Sequence, residues 1–212
     1  MPDQIASSSA LLQGLDQLNL ELEANVVGRL LGYADFLLKW NKTYNLTAIR
    51  DSHGVIVKHL LDSLSVLPFC PHGSVLDIGA GAGLPSVVLA VANPDLSVTA
   101  IDSNSKKTRF LQQCVYHLKL TNLRVLHQRA ENLSPDDPYD FVVSRAFASL
   151  EDFFQVAMPV TKPSGLILAM KGRYPHEELE AAGTMCDIKT INSLTVPFLD
   201  EERHIVVAAP KA

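Results

Sequence analysis

Three glycines at alternate positions, Gly79, Gly81 and Gly83, follow a short apolar run from Ser74 to Ile78 that carries one acid, Asp77. Val87 to Val91 then begin a helical pattern. Strand, glycine-rich turn and helix together let bare backbone approach a nucleotide-like ligand closely. A second acid, Asp102, ends the next apolar run. A carboxylate at a strand end can accept two hydrogen bonds from a ribose diol; the plainer reading is a solvated acid starting the turn that follows. Ala130 and Glu131 come after a third strand. There a backbone amide and an acid can edge an adenine ring, or the acid is an ordinary loop residue. Arg145 follows a fourth strand, in the segment Ser144, Arg145, Ala146, Phe147, Ala148. An arginine among apolar neighbours needs an anion: a ligand carboxylate, a substrate phosphate, or a structural salt bridge.

A dinucleotide fingerprint, Gly-x-Gly-x-x-Gly, would need glycine where Leu84 stands. Asp-x-Gly-x-Gly-x-Gly resembles instead the first motif of S-adenosylmethionine (SAM)-dependent methyltransferases. On this motif alone a nicotinamide or flavin nucleotide, or a tight turn without ligand, stays open. No Asn/Asp-Pro-Pro-aromatic stretch follows the fourth strand, and none of Cys70, Cys114 and Cys186 follows the fourth or fifth. The remaining chemistry is cationic. Lys171 and Arg173 lie at the end of the fifth strand and Arg203 opens the last one. Lys39, Lys42, Arg50 and Lys58 surround Trp40 and Tyr44. Basic residues interleaved with aromatics can hold phosphates and stack on an unpaired base; each charge alone reads equally as a solvated face. The expectation is that they converge on one cleft. His59 and Asp62 are three apart and share a helix face. With no third ligand they make a weak metal pair, and a structural hydrogen bond is the simpler reading.

The elements that must position these groups are legible from periodicity. The chain has 212 residues, 47% hydrophobic and 19% charged, with a net charge of −5. That fits one globular unit with a sizeable core. It argues against a generally basic nucleic-acid binder while leaving room for a local basic face. No apolar run is long enough for a membrane span. The first residues lack a signal peptide's basic and apolar regions, and the three cysteines are scattered, so a cytoplasmic location is expected. Residues 1–10 read as loose and 10–20 as a weak helix. Val26, Val27, Leu30, Leu31, Ala34, Leu37 and Leu38 predict a stronger helix ending near Trp40. Ile56, Val57, Leu60, Leu61, Leu64 and Leu67 predict a third, stopped by Pro68 and Pro71. Residues 1–73 thus read as a helical cap and 74–212 as a single compact core. Beyond the glycine turn, strands near 96–101, 123–126, 141–143 and 165–170 alternate with helices near 105–118, 150–160 and 175–182. Extended segments at 188–196 and 203–208 suggest a closing hairpin. The fold class expected is α/β: a doubly wound, mostly parallel seven-stranded sheet with an antiparallel terminal strand. That strand favours SAM over the nucleotides.

Taken together, Lys39 to Thr47, His59 with Asp62 and Ser63, the glycine turn, residues 144–148, Lys171 with Gly172, and Glu202 to His204 resemble the RsmG family, also called glucose-inhibited division protein B. The similarity spans about residues 20–208. It implies a cytoplasmic, Rossmann-like, SAM-dependent methyltransferase acting on N7 of one guanosine in the 16S rRNA of the bacterial small ribosomal subunit, with S-adenosylhomocysteine as second product. It implies cofactor contacts from Gly79, Leu84, Ala130, Glu131 and Arg145, beside the motif residues Asp77, Gly81, Gly83 and Asp102. Ala82 stands where some members have Pro, and Ser86 replaces a usual Gly, adding a Cβ near the expected cofactor edge. In this reading Arg145 holds the cofactor or a flanking phosphate. Lys39, Lys42, Lys171, Arg173 and Arg203 orient RNA, and His59 and Asp62 shape the base pocket. A monomer without metal is expected. A small-molecule methyltransferase, which an acidic protein suits, and a non-enzymatic nucleotide sensor are the readings from other classes.

Overall fold

The computed structural model describes residues 2–133, 136–145 and 147–211. Helix α1 spans Pro2–Gln17, so residues 2–10, predicted to be loose, are helical. Tertiary packing explains the difference: Leu11 and Leu15 are buried, and a Cβ added at Gly14 would meet Leu61 at 2.4 Å, so α1 lies directly on the third helical segment. Helix α2 spans Ala24–Tyr44 and passes the stop predicted near Trp40. Asn41, just beyond the predicted stop, is buried inside the helix. Its amide group donates to the carbonyls of Thr47 and Ile49, and its oxygen accepts from the Thr47 amide. The chain turns away only at Asn45, in the left-handed region at φ 49°. The predicted third helix is three pieces end to end: α3 Ser52–Val55, a π-helical stretch Ile56–Leu61, and α4 Asp62–Leu64. Such π stretches gather at functional sites, and this one carries Lys58 and His59.

The core alternates strand and helix: β1 Gly73–Ile78, α5 Ser86–Ala92, β2 Leu96–Asp102, α6 Ser105–His117, β3 Leu123–His127, β4 Tyr139–Ser144, α7 Leu150–Ala157, β5 Thr161–Lys171, α8 Leu179–Met185, β6 Cys186–Ser193 and β7 His204–Pro210. The seven strands form one sheet in the order β3-β2-β1-β4-β5-β7-β6. The first five are mutually parallel. β7 runs antiparallel to both neighbours, between β5 and the edge strand β6. The order reverses between β1 and β4, and ligands of such sheets bind outside the carboxyl ends at that reversal. Asp77, Asp102, Arg145 and Lys171 all lie at or just after those ends.

Each face of the sheet has its own hydrophobic cluster. Val75, Val143 and Leu168 face α1, α2, α5 and α6; Leu76, Val142 and Ile167 face α7 and α8. The N-terminal helices share the first cluster with the sheet. Phe36 and Trp40 of α2 meet Phe110 of α6 at ring-centroid distances of 5.8 and 5.6 Å. Arg29 of α2 donates to the Leu118 carbonyl at 2.9 Å.

Two glycines should respond oppositely to alanine. Gly83 has φ +89°, and a Cβ there would meet Val87 at 2.3 Å. Gly83→Ala is expected to cost about 3 kcal/mol of unfolding free energy. Gly28 is exposed within α2, and nothing lies within 4 Å of its added Cβ. Gly28→Ala should gain roughly 0.5–1 kcal/mol. Urea unfolding of both variants checks the pair; equal effects would refute the turn geometry.

Candidate active site

The glycine turn is held at both ends by carboxylates. Asp77, 1% exposed, accepts from the Ser86 amide at 3.1 Å, fixing the start of α5. Burial raises its carboxyl to about 6, against the opposing pull of Ser86 and, more weakly, Arg145. Asp102 accepts from the Gly81 amide at 3.0 Å and the Asn104 amide at 2.8 Å. The first glycines hang on β2, where the Ile101 carbonyl accepts from the amides of both Gly79 and Ala80. The turn also meets the cap: the buried Tyr33 hydroxyl of α2 donates to the Ala82 carbonyl at 2.7 Å. Beside the turn lies a cavity of about 290 Å³, bordered by Gly79, Asp102, Lys107, Ala130, Glu131 and Phe147.

These groups suit an adenosine-bearing cofactor. A carboxylate offers about four lone-pair positions, so Asp102 can serve the Gly81 and Asn104 amides and still receive a diol. A Cβ at Gly81 would find nothing nearer than 3.8 Å, so that side of the turn is open. The Asp77 Oδ1 atom is buried with no hydrogen-bond partner among the described residues. Three of the residues expected near the cofactor lie within the packed base of the turn. Asp77 and Ser86 are both enclosed and support the turn from beneath, so the extra Cβ of Ser86 does not border the cavity. Leu84 is likewise buried, its amide donating to Ala80. Among the described residues no cluster of His, Cys, Asp or Glu could hold a metal.

A second hollow, of about 380 Å³, opens where the cap meets the ends of β4, β5 and β7. Its centre is Asp62, 2% exposed. Asp62 Oδ2 accepts from Arg145 Nη1 at 3.1 Å, and Oδ1 from Arg203 Nε at 3.0 Å. Arg145 Nη1 also reaches the Lys58 carbonyl at 3.2 Å. His59 does not bond Asp62, contrary to the simple pairing its spacing suggested. Its Nδ1 faces the Lys58 carbonyl at 2.9 Å and its Nε2 the Thr47 hydroxyl at 2.7 Å. A carbonyl only accepts, so Nδ1 carries the proton and Nε2 accepts from Thr47. The Thr47 oxygen in turn accepts from the Ile49 amide. Both His59 nitrogens are committed, Nδ1 to the Lys58 carbonyl and Nε2 to Thr47 of the 47–49 loop, and neither is placed to act as a base.

The predicted cations divide. Lys58, Arg145, Lys171 and Arg203 border this hollow; Lys39, Lys42, Arg50 and Arg173 do not. Lys171 pairs with Glu178 at 2.8 Å, and Lys58 with Glu201 at 2.6 Å. Lys39, Lys42 and Arg173 are exposed and in no ion pair among the described residues. Trp40 stacks on Tyr44 at 4.9 Å and packs against Phe110, so its ring helps dock α2 on α6. Ala146 lies outside the described residues. Tyr33, Asn41, Thr47 and Glu201 are contact residues of the candidate site that sequence reasoning missed. Tyr33 was findable, since it stands three and four residues from Leu30 and Leu37 on the apolar face. The other three act through contacts that no spacing encodes.

Burial, with a smaller contribution from Arg145, lowers His59 to about 4. A histidine of 6.5 when unfolded then destabilises the fold as pH falls from 6.5 towards 4, by about 3 kcal/mol in all. Asp77 works the other way, since its folded value of about 6 lies above the unfolded one of 3.8. Its stabilisation is full at low pH and is lost as pH rises through that interval. Between pH 4 and 6.5 the two contributions therefore oppose each other. His59→Gln should gain about 3 kcal/mol relative to the parent on going from pH 7 to pH 4. Denaturant titrations across pH test this; a pH-independent difference would show that His59 is not held neutral.

The family model described as GidB, rRNA small subunit methyltransferase G, matches residues 27–206. The chain is 48% identical to the ribosomal RNA small subunit methyltransferase G of Methylobacillus flagellatus, over 91% of this chain and 93% of that one. It is 45% identical to the protein of the same name from Marinobacter nauticus, over 94% and 93%. Among solved structures it resembles a SAM-dependent methyltransferase from Aquifex aeolicus (TM-score 0.55, 24% identity, 72% of this chain and 91% of that one). It also resembles a TehB-like SAM-dependent methyltransferase from Corynebacterium glutamicum (TM-score 0.56, 15% identity, 71% and 88%). The structural likenesses speak to the Rossmann-like fold, and the sequence matches to the family: this chain belongs to the GidB, rRNA small subunit methyltransferase G, family.

Proposed function

We propose that the protein transfers the methyl group of SAM to N7 of one guanosine in bacterial 16S rRNA. The observation that carries this is a pair of cavities at the carboxyl ends of the sheet: one at the glycine turn, bordered by Asp102 and Glu131, and a second edged by the four cations Lys58, Arg145, Lys171 and Arg203 from cap and core. SAM, when bound, supplies an electrophilic methyl group on a sulfonium. Asp102 would hold the ribose, Ala130 and Glu131 the adenine edge, and the backbone of Gly79 and Gly81 would pass beneath. Arg145 would face the cofactor's carboxylate end or a flanking phosphate.

Guanine N7 carries its lone pair in the ring plane and has no proton to lose, so transfer needs no general base. That agrees with a His59 whose two nitrogens are occupied. Alignment of the reacting atoms at about 3–3.5 Å supplies most of the acceleration. The Thr47–Ile49 loop, held by Asn41 and His59, and the Asp62-held Arg145 would set that alignment. The base must be unpaired or turned out of its stack to enter. Lys171 and Arg203 at the hollow, with Lys39, Lys42 and Arg173 outside it, would contact the backbone.

Two measurements test the reading. Asp102→Ala should weaken SAM binding by at least about tenfold in calorimetry, since charge-assisted hydrogen bonds are lost; unchanged binding would remove the ribose assignment. Methyl-labelled SAM should label 16S rRNA in small subunits from a strain lacking this gene, and not in subunits from its parent. The label should fall where mild reduction and aniline cleave the chain. Binding of SAM without labelling would point to a small-molecule substrate, and neither to a sensing protein.

A further inference from the structure

We propose that the Glu201 carboxylate occupies a phosphate site, a cradle made by Lys58 and Arg203 that an RNA backbone phosphate takes over when substrate docks. This rests on the RNA reading above. Lys58 comes from the π-helical stretch of the cap and Arg203 from the residue before β7, yet both converge on one carboxylate. Lys58 Nζ lies 2.6 Å from Glu201 Oε1, and Arg203 Nη2 lies 2.9 Å from Oε2. A phosphate presents the same pair of anionic oxygens.

Arg203 does not depend on Glu201 for its placement. It is anchored from behind, Nε on the buried Asp62 at 3.0 Å and Nη1 on the Glu202 carbonyl at 2.7 Å. Its Nη2 therefore points to the mouth of the hollow whatever Glu201 does. Lys58 is anchored at its backbone, whose carbonyl accepts from Arg145 and from His59, and its side chain reaches from there to Glu201. Glu201 itself is half exposed, at 52%, in the connection between β6 and β7. Its two cations hold it below the usual carboxylate range, so it stays an anion across the physiological range. Exposed ion pairs contribute little, which makes this carboxylate easy to displace. Of the other acids paired with the hollow's cations, Asp62 is buried under two arginines, and Glu178 is taken by Lys171 and the Leu150 amide. Glu201 is the one whose departure exposes a two-cation site at the rim.

Glu201→Gln tests the exchange. In the methyl-transfer assay on small subunits it should lower KM about fivefold, and the gain should shrink as salt rises. Lys58→Ala in the Glu201→Gln background should abolish the gain. Glu180→Gln, which removes an exposed acid on α8, should not reproduce it. An unchanged or raised KM for Glu201→Gln overturns the proposal, as does an equal gain from Glu180→Gln or a gain that survives loss of Lys58. A parent that labels no rRNA defeats the RNA reading instead. The cradle is then judged with inorganic phosphate: it should raise the Tm of Glu201→Gln more than that of the parent, and not when Lys58 is also alanine. No differential shift overturns the cradle itself.

Discussion

A carboxylate that is 2% exposed is held between two guanidinium groups, and the functional half of this molecule is arranged around it. Burying one charge costs several kcal/mol unless geometry and further hydrogen bonds repay it. Asp62 meets that condition by drawing Arg145 from the end of β4 and Arg203 from the start of β7 onto its two oxygens. Three segments far apart in the chain are thereby locked together. The cap cannot shift on the sheet without stranding a buried charge. Both arginines, each with part of its fork on Asp62, border the hollow.

The same economy runs through the cofactor side. Asp77 and Asp102 do not simply await a ligand; each already holds a backbone amide of the glycine turn or of the helix after it. The turn is thus shaped in advance, and binding need not supply that ordering. Tyr33 carries the constraint into the cap, because its hydroxyl would lose its buried acceptor if α2 moved from Ala82. Two anchors, one at Asp62 and one at Tyr33, make the cap a wall of the site.

How much of this was written in the sequence depends on the range of the interaction. The strand-turn-helix at 74–91, the alternation after it and the closing strand pair are local patterns of apolar period and glycine, and they were readable. Asp102 and Arg145 were readable as strand-end residues because such sheets bind at their carboxyl ends. The helix of residues 2–10 was not, since Leu11 and Leu15 supply its anchor and the preceding stretch is polar. The α2 stop was misplaced because the apolar period ends at Leu38, and only the buried bonds of Asn41 to Thr47 and Ile49 show that the helix runs on. Spacing placed His59 and Asp62 on one face but could not say that each would take a different partner. Lys39 and Lys42 were grouped with the cleft cations by proximity in sequence, whereas the cleft is assembled from Lys58, Arg145, Lys171 and Arg203.

An acidic protein of net charge −5 that acts on RNA must make its basic face locally. Here the cations at the hollow are nearly balanced by Asp62, Glu178 and Glu201. Uncompensated, four positive charges around one hollow would repel one another and destabilise the folded state. Compensated by buried acids alone, they would have nothing to offer a phosphate. Placing one acid, Glu201, at the exposed rim reconciles the two demands. The free protein is electrostatically settled, and little is lost when that carboxylate yields to a phosphate that presents two anionic oxygens in its place. Nonspecific polyanions must also displace it, at a lower return, because they do not bring a base into the hollow behind Arg145. Moderate affinity for RNA in general is therefore compatible with selectivity for one site, since only a substrate that fills both places recovers the cost of the exchange.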